Sequence, residues 1–331
     1  INNTLIGGLA GDSLTDADRN VAVGYGALSA DTLGSRSVAI GQAALTSQNF
    51  TTATSTYNVA VGHGAGENVS TGTQNTLIGG LAGDALTAAF ENVAIGYEAQ
   101  TTDTLGRRTV AVGNGALQSQ NFTTATNSYN TAVGYDAGTA VSTGTNNTII
   151  GGLAGDALTT GHDNVAIGIS ALSTEDTGSE TVAIGRSALF TQNAGAVDTY
   201  NVAVGAAAGR LVTTGVQNTI IGGLAGDALN TGEKNVTLGY ASLSTDTKGA
   251  KSTAIGYAAL NAQNFTTATD SFNTAVGHEA GGAVTTGIQN TLIGGLAGDA
   301  QTIGGDNVAL GYEALSAETQ TSRNTAIGRG A

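Results

Sequence analysis

The sequence predicts an all-β fold, a parallel β-solenoid or β-roll of about 19 coils that covers residues 1–331 as one repetitive domain. Three observations lead to this prediction. One short motif recurs along the whole chain, its apolar residues alternate with period two, and the composition lacks the large side chains of a globular core. Gly makes up 51 of the 331 residues, aromatic residues only 5%, and Pro, Cys, Met and Trp are absent. A thin, regular structure fits this composition.

The repeated motif reads Asn/Ser/Thr, Thr/Val, a small or aliphatic residue, Val/Ile/Leu and then Gly. We number its positions from the leading Asn, so that Gly occupies position 5. This Gly occurs nineteen times between Gly7 and Gly328, at spacings of 17, 17, 21 and 17 residues. Four coils therefore form a super-repeat of 72 residues, which is 71 residues long once. Equivalent motif positions of successive coils can stack on one another only if the strands are parallel. Each coil has room for short strands joined by turns.

Alternation divides the motif into two faces. Positions 2 and 4, such as Val21 and Val23, are expected to fill a narrow aliphatic core. Position 3 is expected to face outward and to associate with a copy of itself, which favours a homotrimer. It is Ala in most coils, whereas the coils containing GGLAGD carry a larger residue there: Leu5, Leu77, Ile149, Ile220 and Leu292.

Two further columns are expected to stabilise the stack from inside. Position 8 is Ala in every coil except at Ser242. Position 1 is Asn in fifteen of nineteen coils, and stacked carboxamides can donate and accept hydrogen bonds between coils. This structural ladder includes Asn20, Asn58, Asn92, Asn164 and Asn307.

Charge and hydropathy exclude some partners. The net charge is −14 and no basic run is present, so neither nucleic acid nor an anionic membrane surface is an expected partner. No apolar stretch is long enough to insert into a membrane. The chain starts at Ile1 inside a repeat and contains no Met, which indicates a window of a longer protein.

The repeats NVAVGYGAL, SVAIGQAAL, NTAVGYDAG and NTAIGRGA resemble the haemagglutinin-type repeats of trimeric autotransporter adhesin heads, and the similar repeats of bacteriophage tail fibres. The resemblance implies a left-handed β-roll of three chains and an extracellular location on a cell-surface appendage or virion fibre. It also implies a role in attachment, with a host-cell surface receptor or glycan as partner. The coils here are longer than those of the adhesins, which is a departure from the adhesin pattern. The long regular super-repeat favours a fibre shaft over a compact head.

The leading hypothesis is therefore the structural shaft of an extracellular fibre, a phage tail fibre or a cell-surface filament, without catalysis. One alternative is a calcium-dependent secreted β-roll binding module. Another is a single-chain solenoid that polymerises end to end through the unpaired strands of its terminal coils. No cofactor is expected apart from the calcium of the first alternative.

The segment GGLAGDALT at residues 79–87 carries the calcium hypothesis, because it resembles the calcium-binding nonapeptide of secreted toxins. Ala82 stands where that nonapeptide has Gly, and the next equivalent Asp lies four coils away. Calcium takes 6–8 oxygen ligands, so a structural corner is favoured over an ion site. The candidate ligands are Asp12, Asp84, Asp156, Asp227 and Asp299.

The three histidines, His63, His162 and His278, are expected to be solvated turn residues rather than metal ligands. No Ser/His/Asp arrangement recurs, so the sequence does not predict an enzyme. A water-ordering face such as ice-binding solenoids possess is not expected either. Its Thr residues would lie at position 2, which is assigned to the core and alternates between Thr and Val.

The 21-residue coils are expected to bulge as loops, with Phe50, Phe122 and Phe265 packed back on the roll beside Tyr57, Tyr129 and Phe272. A structural bulge is the first interpretation. A receptor- or glycan-contacting ridge, or glycosylation at the Asn-Phe-Thr sequences and their threonines, is the second. The residues concerned are Asn49, Phe50, Thr51, Asn121, Phe122, Thr123, Asn264, Phe265 and Thr266.

Overall fold

The computed structural model describes residues 2–331 and shows an all-β parallel β-solenoid of about 19 turns, with no helix among those residues. The chain forms two compact units, Ile1–Asp163 and Asn164–Ala331. Each turn contributes one three-residue strand. Six additional two-residue strands belong to the longer coils and to the coils that precede them.

The first unit contains thirteen strands. They are Thr4–Ile6 (β1), Val21–Val23 (β2), Gly34–Ser35 (β3), Val38–Ile40 (β4), Thr54–Ser55 (β5), Val59–Val61 (β6), Thr76–Ile78 (β7), Val93–Ile95 (β8), Gly106–Arg107 (β9), Val110–Val112 (β10), Thr126–Asn127 (β11), Thr131–Val133 (β12) and Thr148–Ile150 (β13).

The second unit contains twelve strands. They are Val165–Ile167 (β14), Val182–Ile184 (β15), Val202–Val204 (β16), Thr219–Ile221 (β17), Val236–Leu238 (β18), Gly249–Ala250 (β19), Thr253–Ile255 (β20), Thr269–Asp270 (β21), Thr274–Val276 (β22), Thr291–Ile293 (β23), Val308–Leu310 (β24) and Thr325–Ile327 (β25).

The three-residue strands of each unit pair in parallel and in register. Ala60 of β6, for example, lies beside Leu77 of β7, which in turn lies beside Ala94 of β8. The Gly at position 5 ends each strand. At Gly96 the backbone φ is 138°, and a Cβ atom would lie 2.3 Å from the carbonyl oxygen of Gly113 in the next coil. Only Gly tolerates both the conformation and this close approach.

The structure reverses the predicted assignment of faces. Position 3 lies inside the solenoid, so that Ala94 is fully buried, whereas Val93 and Ile95 on either side of it are partly exposed. The same holds for the larger residues Leu77, Ile149, Ile220 and Leu292, which are fully buried. The prediction that position 3 faces outward and that positions 2 and 4 form the core is therefore wrong.

The physical reason for this reversal is the narrow interior of the coil. Position 3 points directly at position 9 of the same turn: a Cβ atom on Gly83 would lie 2.7 Å from Cδ2 of Leu77. Coils with Ala at position 3 can place Leu at position 9, as in the pair Ala22 and Leu28. Two large residues would not fit, so the β-branched pairs are left on the outside.

The same constraint explains the recurrent GGLAGD segment. Its coil carries Leu or Ile at position 3 and Gly at position 9, the reverse of the arrangement of Ala22 and Leu28. Leu77 also reaches the preceding coil, where a Cβ atom on Gly66 would lie 2.6 Å from its Cδ1. One large side chain thus fills space in two turns that both have Gly at position 9.

Candidate functional site

A strip of aliphatic side chains lies on the outer face of the three-residue strands. We call positions 2 and 4 of these strands the outer sheet face. Ile78 is 37% exposed, Leu238 46% and Leu310 45%. Neither position carries a charged residue in any coil, and position 4 is Val, Ile or Leu throughout. Position 2 is Thr in nine of the nineteen coils and Val in the others.

Position 2 is partly exposed, so the prediction that its threonines belong to the core, which was the reason for not expecting a water-ordering face, is wrong. The threonines do lie outside. They share the face with a continuous column of bulky aliphatic residues, however, so the face as a whole is apolar rather than hydroxyl-rich.

The Asn ladder runs along the inside of the coils. The Asn92 side chain accepts a hydrogen bond from the Thr109 backbone nitrogen of the next coil at 3.0 Å, and donates one to the carbonyl oxygen of Gly106 at 2.9 Å. Asn20, Asn58, Asn164 and Asn307 make the equivalent bond to the carbonyl at position 15 of their own coil. The carboxamides therefore pair mainly with backbone groups rather than with one another.

Four buried acidic residues escaped the sequence analysis, which recognised one recurring acidic column instead of two. Asp103 is fully buried, and its carboxylate accepts hydrogen bonds from the backbone nitrogens of Gly106 at 3.0 Å and Phe122 at 3.1 Å. Gln120 donates a further hydrogen bond to it at 2.6 Å. The set recurs at 72- or 71-residue spacing, a signal that the sequence does contain: Asp31, Asp103, Glu175 and Asp246.

The Asp103 carboxylate links two successive coils, because it binds the backbone nitrogen of Gly106 in its own coil and that of Phe122 in the 21-residue coil that follows. The rings of Phe50, Phe122 and Phe265 are buried against the solenoid. The flanking residues Asn49, Thr51, Asn121, Thr123, Asn264 and Thr266 are exposed.

The aromatic residues at the far end of these loops are more exposed than the phenylalanines. Tyr57, Tyr129 and Phe272 are about half exposed. A cation from the preceding coil lies over each ring. Arg36 is 5.4 Å from the ring centroid of Tyr57, and Lys251 is 5.1 Å from that of Phe272. Each of these rings therefore takes part in an exposed cation–π pair.

The candidate calcium ligands follow the glycine at position 9, in the turn after each three-residue strand. They are Asp12, Asp84, Asp156, Asp227 and Asp299. Burial raises the pKa of the Asp84, Asp227 and Asp299 carboxyls above the usual range. Asp84 accepts a hydrogen bond from Thr101, which partly opposes that effect. Within residues 2–331 no three His, Cys, Asp or Glu side chains converge as a metal site would require.

The histidines lie apart from one another in the chain. His63 and His278 occupy position 6 of their coils, and His162 contacts the Asp163 carboxylate at 2.8 Å. His278 stacks on Tyr257, with ring centroids 5.1 Å apart.

No protein-family model, curated protein or solved structure matches this chain. Over the residues that the structure describes, there is no helix of the length and apolarity needed to cross a membrane.

Proposed function

We propose that this chain is a structural component of an extracellular fibre, a homotrimeric shaft of a phage tail fibre or cell-surface filament that serves attachment and carries out no catalysis. The observation that supports the proposal most is the outer sheet face. In the first unit it extends over nine coils, about 43 Å at a strand spacing of about 4.8 Å. With a width of about 10 Å for three residues, its area is on the order of 400 Å², comparable to the largest apolar patch of a typical monomer, which is often functional.

A second and a third copy of the chain are the occupants that this face fits. It is uncharged and regular at the spacing of the strands, so an identical face in register can pack against it along its length. This proposal keeps the lateral association expected from the sequence and transfers it from position 3 to positions 2 and 4. The left-handed winding and the number three come from the resemblance to adhesin and tail-fibre repeats.

The mass of the chain in solution tests the association. Ile78→Lys combined with Ile95→Lys places two charges on the outer sheet face without entering the core. We expect the unmodified chain to sediment at three times 32.4 kDa and the double variant to dissociate while keeping its β-sheet circular dichroism. Ser119→Lys, on an exposed turn, is the matched control and should leave the mass unchanged. A monomeric unmodified chain would refute the proposal.

End-to-end polymerisation is a second candidate, because the first and last coils of a solenoid can recruit further strands through unpaired strand edges. A mass that grows continuously with protein concentration would favour this candidate, whereas a fixed threefold mass would favour the lateral trimer.

A calcium-dependent module remains the alternative from another functional class. Millimolar Ca²⁺ should raise the melting temperature sharply, and EDTA should lower it, if the Asp column binds the ion. The shaft proposal expects neither change.

A further inference from the structure

Two columns of residues border the outer sheet face. One is the residue immediately before position 1 of each coil, and we call this column the leading margin. The other is position 6, which follows the glycine bend, and we call it the trailing margin. Copies that are related by rotation about an axis parallel to the coil stack, and that join through their outer sheet faces, bring the leading margin of one copy beside the trailing margin of the next.

Strand β15 carries opposite charges on its two margins. Glu180 precedes the strand and Arg186 follows it, and both side chains are exposed. They lie on opposite sides of Val182–Ile184, and within residues 2–331 neither of them forms an ion pair. The acid and the base are therefore both available to a second molecule.

The equivalent strands of the other super-repeats have a different arrangement. Each is preceded by a cation and followed by an uncharged residue: Arg36 and Gln42 at β4, Arg108 and Asn114 at β10, and Lys251 and Tyr257 at β20. At β15 the cation lies on the trailing margin instead, and an acid has taken its place on the leading margin. Both changes fall at the same strand, as expected if the two margins contact each other between copies.

The single chain does not account for the acid at Glu180. In the first super-repeat Arg36 lies over the ring of Tyr57 in the following coil. Tyr200 keeps the ring at the equivalent position, but the cation is absent. The charges of Asp198 and, less strongly, Glu180 raise the pKa of Tyr200 instead. A cation from outside the chain would relieve this concentration of negative charge.

We propose that Glu180 of one copy pairs with Arg186 of the next copy and thereby fixes the axial register of laterally associated chains. The inference rests on the lateral association of the proposed function. It specifies that association as parallel, with β15 of one copy beside β15 of the next.

The repeat alone leaves this register open. A displacement by one super-repeat of four coils places like coils beside like and leaves the outer sheet faces matched. It would bring Glu180 beside the uncharged Asn114 or Tyr257, so the ion pair would be lost. An antiparallel arrangement that keeps β15 beside β15 would place Glu180 beside Glu180 and Arg186 beside Arg186, which like-charge repulsion disfavours.

The dissociation constant of the full chain, measured by sedimentation over a dilution series, tests the pair. Arg186→Glu and Glu180→Arg each replace an attraction by a repulsion, and each should raise the dissociation constant at least tenfold. The combined protein restores the pair in reverse order and should return to within threefold of the parent. The backbone accommodates Glu180→Arg, because Arg36 and Arg108 occupy the equivalent position with a similar φ. Lys248→Glu changes the net charge equally but lies on neither margin, so it should leave the constant unchanged.

Disulfide cross-linking identifies the neighbouring residue directly, because the chain contains no Cys. Arg108→Cys combined with Asn114→Cys flanks β10 and leaves Glu180 and Arg186 intact. On oxidation this protein should form covalently linked chains. Arg108→Cys combined with Gln42→Cys reports a displacement by one super-repeat and should give no link. Arg108→Cys by itself reports an antiparallel contact and should give none either.

The outcomes separate this inference from the proposal on which it rests. A monomeric parent would refute lateral association and the register pair together. An associated parent would overturn the register pair alone in any of three cases. The combined variant is no closer to the parent than the single variants are, the displaced cysteine pair links as well as the pair that flanks β10, or Arg108→Cys links by itself.

Discussion

The side-chain oxygen of Asn20 accepts a hydrogen bond from the backbone nitrogen of Ser37 at 2.8 Å, although Ser37 lies seventeen residues further along the chain. The same carboxamide donates to the Gly34 carbonyl at 2.9 Å. One side chain thus ties the start of a strand to the end of its own coil and to the next coil. In an interior only one side chain wide, this pairing satisfies backbone groups that the short strands leave unpaired.

Replacement of Asn92 by Ala should therefore destabilise the solenoid. It leaves the Thr109 nitrogen and the Gly106 carbonyl buried without partners, at about 1–3 kcal/mol for each group. Urea unfolding followed by circular dichroism measures the loss. Asn114→Ala, on an exposed turn, is the control, and equal losses for the two variants would contradict the ladder.

Leu77→Ala should cost more than Ile78→Ala. Leu77 is fully buried and fills two coils, so its removal leaves a cavity that should lower the free energy of unfolding by about 2–5 kcal/mol. Ile78 is 37% exposed, and its truncation should cost about 1 kcal/mol. The comparison is made by urea unfolding in dilute solution. The assignment of faces fails if Ile78→Ala is the more damaging change and its effect does not depend on protein concentration.

Asp103→Ala should release the 21-residue loop as well as lower the stability. The substitution removes the acceptor of the Gly106 and Phe122 backbone nitrogens, which should cost about 1–3 kcal/mol for each buried group. Hydrogen exchange should then lose protection at residues 122–126. Asp16→Ala, at an exposed site, is the control. Unchanged protection in Asp103→Ala would mean that the loop is held by its Phe side chain alone.

The stability contributed by Asp299 should depend on pH in the direction opposite to that of a salt-bridged acid. Burial raises the pKa of its carboxyl in the folded state above that in the unfolded state. The protonated carboxyl therefore stabilises the folded state at pH values below the pKa of the unfolded state. This contribution is lost as the pH rises through the pKa of the folded state. Asp299→Asn should therefore stabilise the protein at neutral pH, and the gain should disappear in acid. Melting temperatures of both proteins across pH 3–8 provide the measurement, with Asp12→Asn as an exposed control. A gain that grew in acid would contradict this reasoning.

The repeat was sufficient to predict the all-β parallel solenoid. A Gly at position 5 and an alternating triplet at fixed spacing predict a parallel strand in each coil, and Ala at position 8 predicts a tight interior. The direction in which the triplet faces could not be obtained in this way, because Val93–Ala94–Ile95 alternates equally well with either set inside. What decides it is the distance across the coil, which is set by the opposing position 9.

Two other features of the structure could not be predicted from residue propensities alone. Position 9 holds a left-handed φ even where it is Leu, as at Leu28 with 55°, a conformation that propensity assigns to Gly or Asn. The buried carboxylates were overlooked for a different reason: an acidic residue is normally interpreted as exposed. Their regular spacing, from Asp31 to Asp103 and beyond, was nevertheless present in the sequence.

The cross-section of the particle, seen by cryo-electron microscopy of the full chain, tests the central claim most directly. The fibre proposal predicts three solenoids per cross-section, with the outer sheet faces, including Ile78 and Ile95, directed toward a common axis. A single solenoid per cross-section, or three solenoids whose outer sheet faces point to solvent, would contradict it.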